Sequence, residues 1–414
     1  MRVRSTWLVL ASLAVPTSAG AATNEVVATR DVGAALAVDD LGRAFVVTPR
    51  PRERSAAFGS VRLSAAAPGE RFGRSRMVLR AERGERVVDT GVDAAGRVLV
   101  VMQGARGVGV GPHPHAISPP GADFAASAVA RTGAAVVVWF HHRDGGRWRL
   151  EASVRRRGGA AFAPAEPVSR FVRRACCTSV SAAIGERGDA VVTWSSTARP
   201  SAWASLRRPG QRFGRAQRLS REAADVPKAV VGADGTAVVL YSTQHVPRRP
   251  SDGLQVHRSG GARFGAAEHV ASGGGVTSAD AAVAPSGALT IAWTDAVHGA
   301  SVHVSEAARG GPLTPVADLG TNVAQRALAV ASDASGRAVV AWSERSGRHE
   351  RATAAIRPAA GAPFGPPVAL GRSWRAAEPD LARLVPGGAL VLWRGSRYGP
   401  PAARRTALAV TRLP

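Results

Sequence analysis

One unit of a repeat occupies residues 178–220 and reads TSVSAAIGERGDAVVTWSSTARPSAWASLRRPGQRFGRAQRLS. Alternating apolar residues lead into a turn closed by Gly188, and the apolar run that ends at Trp194 follows. A polar loop, a third apolar run and a turn ending at Phe213-Gly214 precede a short final run. This pattern predicts four short antiparallel strands, a to d, joined by turns.

The same unit recurs with a fixed internal spacing, a glycine six residues before an aromatic side chain. Six copies keep both residues, whereas two N-terminal copies keep the glycine and have Thr48 or Met102 in place of the aromatic. The glycines are Gly42, Gly96, Gly133, Gly188, Gly235, Gly287, Gly336 and Gly387. Glycine supplies the positive φ of a tight hairpin, and an inserted residue would turn the following side chains to the wrong face. The mean period of about 49 residues is typical of propeller blades.

These repeats predict an all-β fold, a β-propeller of four-stranded antiparallel blades, with eight blades by the glycine count. The second unit, residues 85–118, is short and lacks the Phe-Gly marker that four of the other units carry, so seven blades are the alternative. Residues 25–30, EVVATR, resemble a d strand, whereas the last unit ends after a c strand at residues 406–412. We therefore expect the N-terminal strand to complete the last blade and close the ring.

The first 22 residues have the pattern of a secretory signal. Arg2 and Arg4 precede an apolar run and then small residues around an Ala-x-Ala site. Residues 23–414 are expected to form one propeller domain, and no other run is apolar enough to span a membrane. We therefore expect a secreted or periplasmic monomer without a transmembrane segment.

Basic residues outnumber acidic residues by 54 to 30, which gives a net charge of +24, and Lys228 is the only lysine. One explanation is the codon bias of a GC-rich genome, because Ala, Gly and Pro are also frequent. The other explanation is attraction to polyanions, which outside the cytoplasm would be acidic polysaccharides or other envelope polymers. The sequence has none of the motifs of nucleic-acid-binding modules, so we expect no sequence-specific binding to nucleic acid.

Binding residues of a propeller are expected in its variable b–c loops and d–a connections, which share one face. The regularly spaced aromatics should instead fill the space between blades. Candidate ligand-binding residues near the variable face are His141, His142, Arg143, Trp148, Trp203, Trp374, Arg394 and Tyr398. The three tryptophans among them either stack on a sugar ring or cap the core. No spacing typical of metal ligands is present, so we expect neither a metal site nor a cofactor.

Cys176 and Cys177 are adjacent and are the only cysteines of the chain. They can form a vicinal disulfide, remain as two thiols or link two molecules. Because they precede the a strand of the fourth unit, we expect them on the face of the b–c loops. A vicinal disulfide there would be strained and therefore readily reduced.

The repeat resembles those of secreted bacterial β-propellers, including the sialidase-like group, whose repeats carry an Asp-box, S-x-D-x-G-x-T-W. Residues 332–336, SDASG, are similar to the box, with an extra residue before Gly336 and the aromatic farther downstream. The sialidase nucleophile is a tyrosine, and in this chain it would have to be Tyr241 or Tyr398.

The sequence contains no G-x-S-x-G, no phosphate-binding loop and no recognisable acid–base pair of carboxylates. We therefore interpret the chain as an exported, non-enzymatic binding or interaction module at the cell envelope. Its ligand would be a glycan, another anionic polymer or a protein partner. The alternative is a sialidase-like or other glycan-active enzyme.

Overall fold

A computed structural model describes most of the chain between Thr23 and Leu413. The described residues are 23–29, 34–51, 58–81, 84–111, 115–143, 146–173, 179–195, 201–220, 224–243, 253–271, 275–295, 301–321, 323–346, 349–370, 374–397 and 406–413. The predicted signal segment, residues 1–22, lies outside them. Within these ranges no helix has the length and apolar character needed to cross a membrane.

The strands form eight antiparallel blades, as the sequence predicted. The first strand, β1 (Thr23–Thr29), belongs to the last blade. Blade 1 contains β2–β5 (Ala35–Val38, Ala44–Pro51, Phe58–Ala66 and Arg76–Arg80), and blade 2 contains β6–β9 (Arg86–Val92, Val98–Gly104, Gly107–Val110 and His115–Ala116). Blade 3 contains β10–β14 (Asp123–Val129, Ala135–Arg143, Arg147–Arg155, Glu166–Pro167 and Val172–Arg173), and blade 4 contains β15–β18 (Val180–Ile184, Ala190–Ser195, Ala202–Arg207 and Gln217–Arg218).

The second half of the ring repeats this plan. Blade 5 contains β19–β23 (Ala224–Val231, Ala237–Thr243, Leu254–Gly260, Arg263–Phe264 and Glu268–Ala271), and blade 6 contains β24–β27 (Val276–Val283, Leu289–Asp295, Val302–Ala307 and Thr314–Gly320). Blade 7 contains β28–β31 (Val323–Ser332, Ala338–Ser346, His349–Arg357 and Val368–Ala369), and blade 8 contains β32–β34 (Trp374–Val385, Gly388–Arg397 and Thr406–Leu413) together with β1. In blades 3 and 5 the outer d strand consists of two short segments that both pair with strand c.

The ring is closed by the two ends of the chain. Strand β1 pairs antiparallel with β34, in a register that places Thr23 opposite Arg412 and Thr29 opposite Ala407. The predicted N-terminal closure of the last blade is therefore confirmed. Each innermost strand also contacts the innermost strand of the next blade, including β2 of blade 1 against β32 of blade 8.

The short second unit is a full blade, so the eight-bladed prediction is correct and the seven-bladed alternative is wrong. Its outer strand, β9, has only two residues. A single residue pair, Phe58 opposite Val87, joins blades 1 and 2 into one continuous sheet.

The hydrophobic core is divided into eight clusters, one between each pair of neighbouring blades. The regularly spaced aromatics lie in these clusters, which confirms their predicted packing role. They are Trp139, Trp194, Tyr241, Trp293, Trp342 and Trp393, all of them buried. Apolar burial between blades thus holds the ring together without one central core.

The a–b hairpins explain the invariant glycine spacing. All eight hairpin glycines have positive φ, from 73° at Gly96 to 91° at Gly188. Three of these turns share the pattern D-x-x-G-R, at Asp39, Asp93 and Asp333. In each turn the aspartate accepts bonds from turn amides and from the arginine that follows the glycine. The aspartate therefore fixes the turn, and a similar structural role applies to the Asp-box-like residues 332–336.

Candidate functional site

The b–c end of blade 3 contains the largest group of predicted site residues. Strands β11 and β12 form a hairpin in which Arg143 pairs with Arg147. The short strand β14 then pairs with the beginning of β12, where Val172 lies opposite Trp148. This extra strand brings Phe171, in the connection to blade 4, beside the hairpin. Long strands and an added edge strand therefore make this end of the blade a well-supported platform.

Phe171 lies among three cationic or titratable side chains. The guanidinium carbon of Arg143 is 4.6 Å from the ring centroid, and that of Arg149 is 4.4 Å from it. The imidazole of His141 meets the ring edge-on, with centroids 5.8 Å apart. Arginines at these distances are attracted to the face of an aromatic ring, by about 0.5–1 kcal/mol when exposed. The ring therefore holds two guanidinium groups in one place.

A buried carboxylate, Glu151, fixes one side of this group. It accepts bonds from His141 Nδ1 at 2.8 Å, from Arg149 Nε at 2.8 Å and from Trp139 Nε1 at 3.2 Å. Burial alone would raise the pKa of Glu151, but the bonds from His141 and Arg149 outweigh it and lower the pKa. Glu151 is therefore ionised, and it pins Arg149 and His141 beneath Phe171.

His142 points to the other side of the hairpin. Its Nε2 is 3.2 Å from Asp123 Oδ2, and the amide of Gln103 in blade 2 donates to Asp123 Oδ1 at 2.7 Å. This chain of contacts links blades 2 and 3 at the rim. Phe171 and the side chains of Arg143, Arg149 and His141 around it are called the Phe171 group below. His142 is separated from this group, although it is adjacent to His141 in sequence.

The charge around Phe171 is unevenly balanced. Arg143, Arg147 and Arg170 are exposed, and no carboxylate in the described part of the chain forms an ion pair with them. Glu151 is already used by Arg149 and His141. The platform therefore presents uncompensated guanidinium groups beside an aromatic ring, an arrangement suited to binding an anion rather than to proton transfer.

The other predicted binding residues do not join this group. Trp148 is 8% exposed and packs edge-on against Phe140 in the core between blades 3 and 4, with ring centroids 5.5 Å apart. This position agrees with the interpretation that Trp148 caps the core and does not stack on a sugar. Trp203 is half-buried in blade 4, where its Nε1 donates to Ser201 Oγ at 2.8 Å. Arg394 lies in blade 8, half-buried on β33. The Trp374 side chain, Tyr398, Cys176 and Cys177 lie outside the described residues.

The inner strands carry a second set of charges. Lys228 Nζ of blade 5 is 2.7 Å from Asp280 Oδ1 of blade 6, and Asp280 Oδ2 accepts from the Val330 amide of blade 7 at 2.9 Å. Asp280 thus ties three consecutive blades together, which is a structural role. Among the described residues no group of three His, Cys, Asp or Glu side chains could hold a metal ion.

Sequence reasoning did not identify Arg149, Glu151 or Phe171. The alternation of Arg147, Arg149 and Glu151 along a strand places all three on one face and could have identified them. Phe171 gave no such signal, because its position depends on the pairing of β14 with β12.

Comparisons with known proteins concern the fold alone. No protein-family model matches the chain, and no curated protein matches it. Polysaccharide lyase Uly1 is similar in structure with 11% identity and a TM-score of 0.48, over 92% of this chain and 90% of that one. The β-propeller domain of the Trilobed protease from Pyrococcus furiosus has 7% identity and a TM-score of 0.42, over 92% and 97%. AofleA from Arthrobotrys oligospora has 10% identity and a TM-score of 0.44, over 84% and 90%.

Proposed function

We propose that this chain is an exported, non-enzymatic β-propeller module that binds an anionic glycan at the cell envelope. The observation that supports this proposal is the arrangement of Arg143 and Arg149 around Phe171 at the b–c end of blade 3. Export is proposed from the signal-like pattern of residues 1–22.

The chemistry of this end of blade 3 favours an acidic sugar. A planar guanidinium binds a carboxylate or sulfate through two parallel hydrogen bonds. Arg143 is available for such a pair, whereas Arg149 is held by Glu151 and keeps the ring in place. The half-buried ring of Phe171 holds the exposed guanidinium of Arg143 in place for such a contact. A neutral glycan would form no ion pair with these guanidinium groups, so the protein should prefer acidic glycans over neutral ones.

Binding of the mature protein to polygalacturonate, heparin and neutral dextran tests the proposal. We expect binding to the two acidic polymers and not to dextran, with an affinity that falls steeply as salt is added. The double variant Arg143→Gln/Arg147→Gln should weaken binding roughly tenfold, because two exposed charge pairs are lost. Arg143→Gln alone is compared with the control Arg345→Gln, which loses the same charge, since Arg345 is exposed at the corresponding end of blade 7. Equal binding to dextran, or an unchanged double variant, would contradict the proposal.

The second candidate, a sialidase-like activity, depends on a tyrosine nucleophile. Tyr241 is 1% exposed, and its hydroxyl lies 2.8 Å from Gln255 Oε1 within the core, where a glycan would not reach it. That activity would then require Tyr398, which lies outside the described residues. Release of sialic acid from a fluorogenic sialoside, abolished in Tyr398→Phe, would favour the enzyme over the binding module.

A further inference from the structure

The c–d turns of blades 3, 4 and 5 form an unusual stretch of the molecular surface. They comprise residues 155–165, 207–216 and 258–267, which together contain nine arginines and no aspartate or glutamate. The glycine that follows the aromatic of the Phe-Gly marker closes each of the last two turns. Gly214 donates to the Leu206 carbonyl and Gly265 to the Arg258 carbonyl, both at 2.9 Å. The arginines between the strands are therefore carried on short, well-defined turns.

Four of the nine arginines have structural partners. Arg155 Nε donates to the Gly133 carbonyl at 3.1 Å, Arg207 Nε is 3.5 Å from Glu166 Oε1, and Arg258 Nε donates to Glu268 Oε1 at 2.7 Å. Arg208 binds Asp189 and the carbonyl of Gly235. These four guanidinium groups are used to join strands and blades.

The other five are exposed, and we call them the arginine arc: Arg156, Arg157, Arg212, Arg215 and Arg263. None forms an ion pair with a carboxylate of the described residues. Their aromatic neighbours do not project into solvent, since Phe162 and Phe213 are half-buried and Phe264 is buried. The arc is therefore a purely cationic surface.

Bonds between blades fix the three turns relative to one another. The Phe213 amide of blade 4 donates to Glu166 Oε2 of blade 3 at 3.0 Å. Gln217 and Phe264 exchange two hydrogen bonds between blades 4 and 5, at 2.9 and 3.1 Å. Arg208 also donates to the carbonyl of Gly261. The arc is consequently a preorganised surface, and a ligand would not have to order these turns.

Compositional bias alone does not account for this distribution. In the a–b turns, arginines are matched by carboxylates, as in the pairs Arg97–Asp93 and Arg337–Asp333. In the c–d region of blades 6 and 7, Arg309 pairs with Asp234 and Arg357 with Glu306. The c–d turn of blade 1 also has exposed arginines, at Arg71, Arg74 and Arg76, but it contains Glu70 as well. Blades 3 to 5 differ because three consecutive turns present exposed arginines and contain no carboxylate, so a long ligand could contact all of them.

We propose that the arginine arc is a second binding surface, for a linear anionic polysaccharide that lies across blades 3 to 5. Charge complementarity supports this occupant, because successive turns present guanidinium groups and no carboxylate. Single-stranded nucleic acid is usually held by exposed aromatics that stack on bases, and the arc has none among its described neighbours. This surface is separate from the Phe171 group, so either proposal can fail without the other.

The test compares two triple variants with the same loss of charge. Arg156→Gln/Arg212→Gln/Arg263→Gln removes one arginine of the arc from each blade. Arg71→Gln/Arg74→Gln/Arg76→Gln is the control, because these exposed residues lie at the c–d turn of blade 1, which is not adjacent to the arc. Circular dichroism and thermal unfolding should show that both variants keep the fold. The probes are heparin and polygalacturonate, titrated at several salt concentrations.

We expect the arc variant to bind the polysaccharides roughly tenfold more weakly at low salt. Its slope of log affinity against log salt should fall by about two to three units, one for each lost contact. The control should stay within about twofold of the wild type. An equal loss of affinity in both variants would mean that only the net charge of the protein matters, and it would overturn the proposal. An unchanged arc variant would also overturn it.

Two further measurements separate the alternatives. If the arc variant loses affinity for anionic phosphatidylglycerol vesicles but keeps its affinity for polysaccharide, the surface is a membrane contact and the proposal is wrong. Single-stranded DNA bound as tightly as heparin, and lost in the same variant, would equally overturn the polysaccharide assignment. The Arg143→Gln/Arg147→Gln variant, measured in parallel, shows whether the Phe171 group contributes separately.

Discussion

Arg208 and Asp189 form a buried ion pair in blade 4, with Nη1 of the guanidinium 2.9 Å from Oδ1 of the carboxylate. The same nitrogen donates to the Gly235 carbonyl of blade 5 at 2.6 Å. Asp189 is 1% exposed, so hydrogen bonds from its protein partners replace those that water would make to its carboxylate. One arginine thus neutralises a buried carboxylate and joins two blades. Part of the basic composition is therefore structural.

Replacing this arginine should destabilise the ring strongly. We expect Arg208→Ala to lower the free energy of unfolding by about 3 kcal/mol, because Asp189 would remain buried without its close partner. Arg187 Nε, at 3.7 Å from Asp189 Oδ2, is too far away to replace the lost hydrogen bond. Urea unfolding gives the value. Arg212→Ala, at an exposed position in the same c–d turn, should change this free energy by less than about 0.5 kcal/mol. Similar losses in both variants would argue against a special role for Arg208.

The fold was predictable because its constraints are local and repeated. Hairpin geometry and blade packing both require the fixed spacing between Gly188 and Trp194. Because the glycine recurs eight times, the sequence also predicted the number of blades. The closure by β1 was also predictable from the strand missing at the C-terminus. The site was less predictable, because Phe171 meets Arg143 and Arg149 only through a tertiary pairing. Such a contact cannot be predicted from the positions of these residues in the sequence.

Substitution of two hairpin glycines, Gly336 and Gly387, can distinguish the cost of backbone strain from the cost of overpacking. Gly336 and Gly387 have nearly the same φ, 78° and 76°. A Cβ at Gly336 would lie 2.7 Å from the backbone nitrogen of Ala360, whereas a Cβ at Gly387 would meet no atom within 4 Å. We expect Gly387→Ala to cost about 1–2 kcal/mol through positive φ alone. Gly336→Ala should cost roughly 3 kcal/mol or more, because overpacking adds to that strain. Equal destabilisation in chemical unfolding would mean that Ala360 moves away freely.

The closing strand should protect the edge of blade 8. Deletion of residues 23–29 removes β1 and leaves the outer edge of β34 without its partner. An unpaired edge strand is a template for association with another chain. We therefore expect the deletion to lower the melting temperature and to produce dimers or aggregates in light scattering. A protein lacking only residues 1–22 is the control and should remain monomeric. A monomeric deletion variant with an unchanged melting temperature would show that β1 is dispensable.

Buried His257 should make the stability depend on pH. Its Nδ1 is 2.9 Å from the Gly265 carbonyl, its Nε2 is 3.1 Å from the Tyr241 hydroxyl, and its ring stacks on Tyr241 with centroids 5.7 Å apart. Burial lowers the pKa of His257 below its ordinary value of 6.5, although the Gly265 carbonyl and the charge of Glu268 oppose this shift. The folded protein therefore favours the neutral imidazole.

The direction of the effect follows from proton binding. Between the lowered pKa of the folded state and the ordinary pKa near 6.5, the unfolded chain binds more protons at this position than the folded chain does. The contribution of His257 to stability is thus complete above about pH 6.5 and is lost as the pH falls towards the folded pKa. Urea unfolding of the wild type, measured from pH 5 to pH 8, should show this decline. In His257→Gln the decline should be smaller, whereas the exposed control His269→Gln should retain the wild-type profile. An identical pH profile in His257→Gln would assign the decline to other groups.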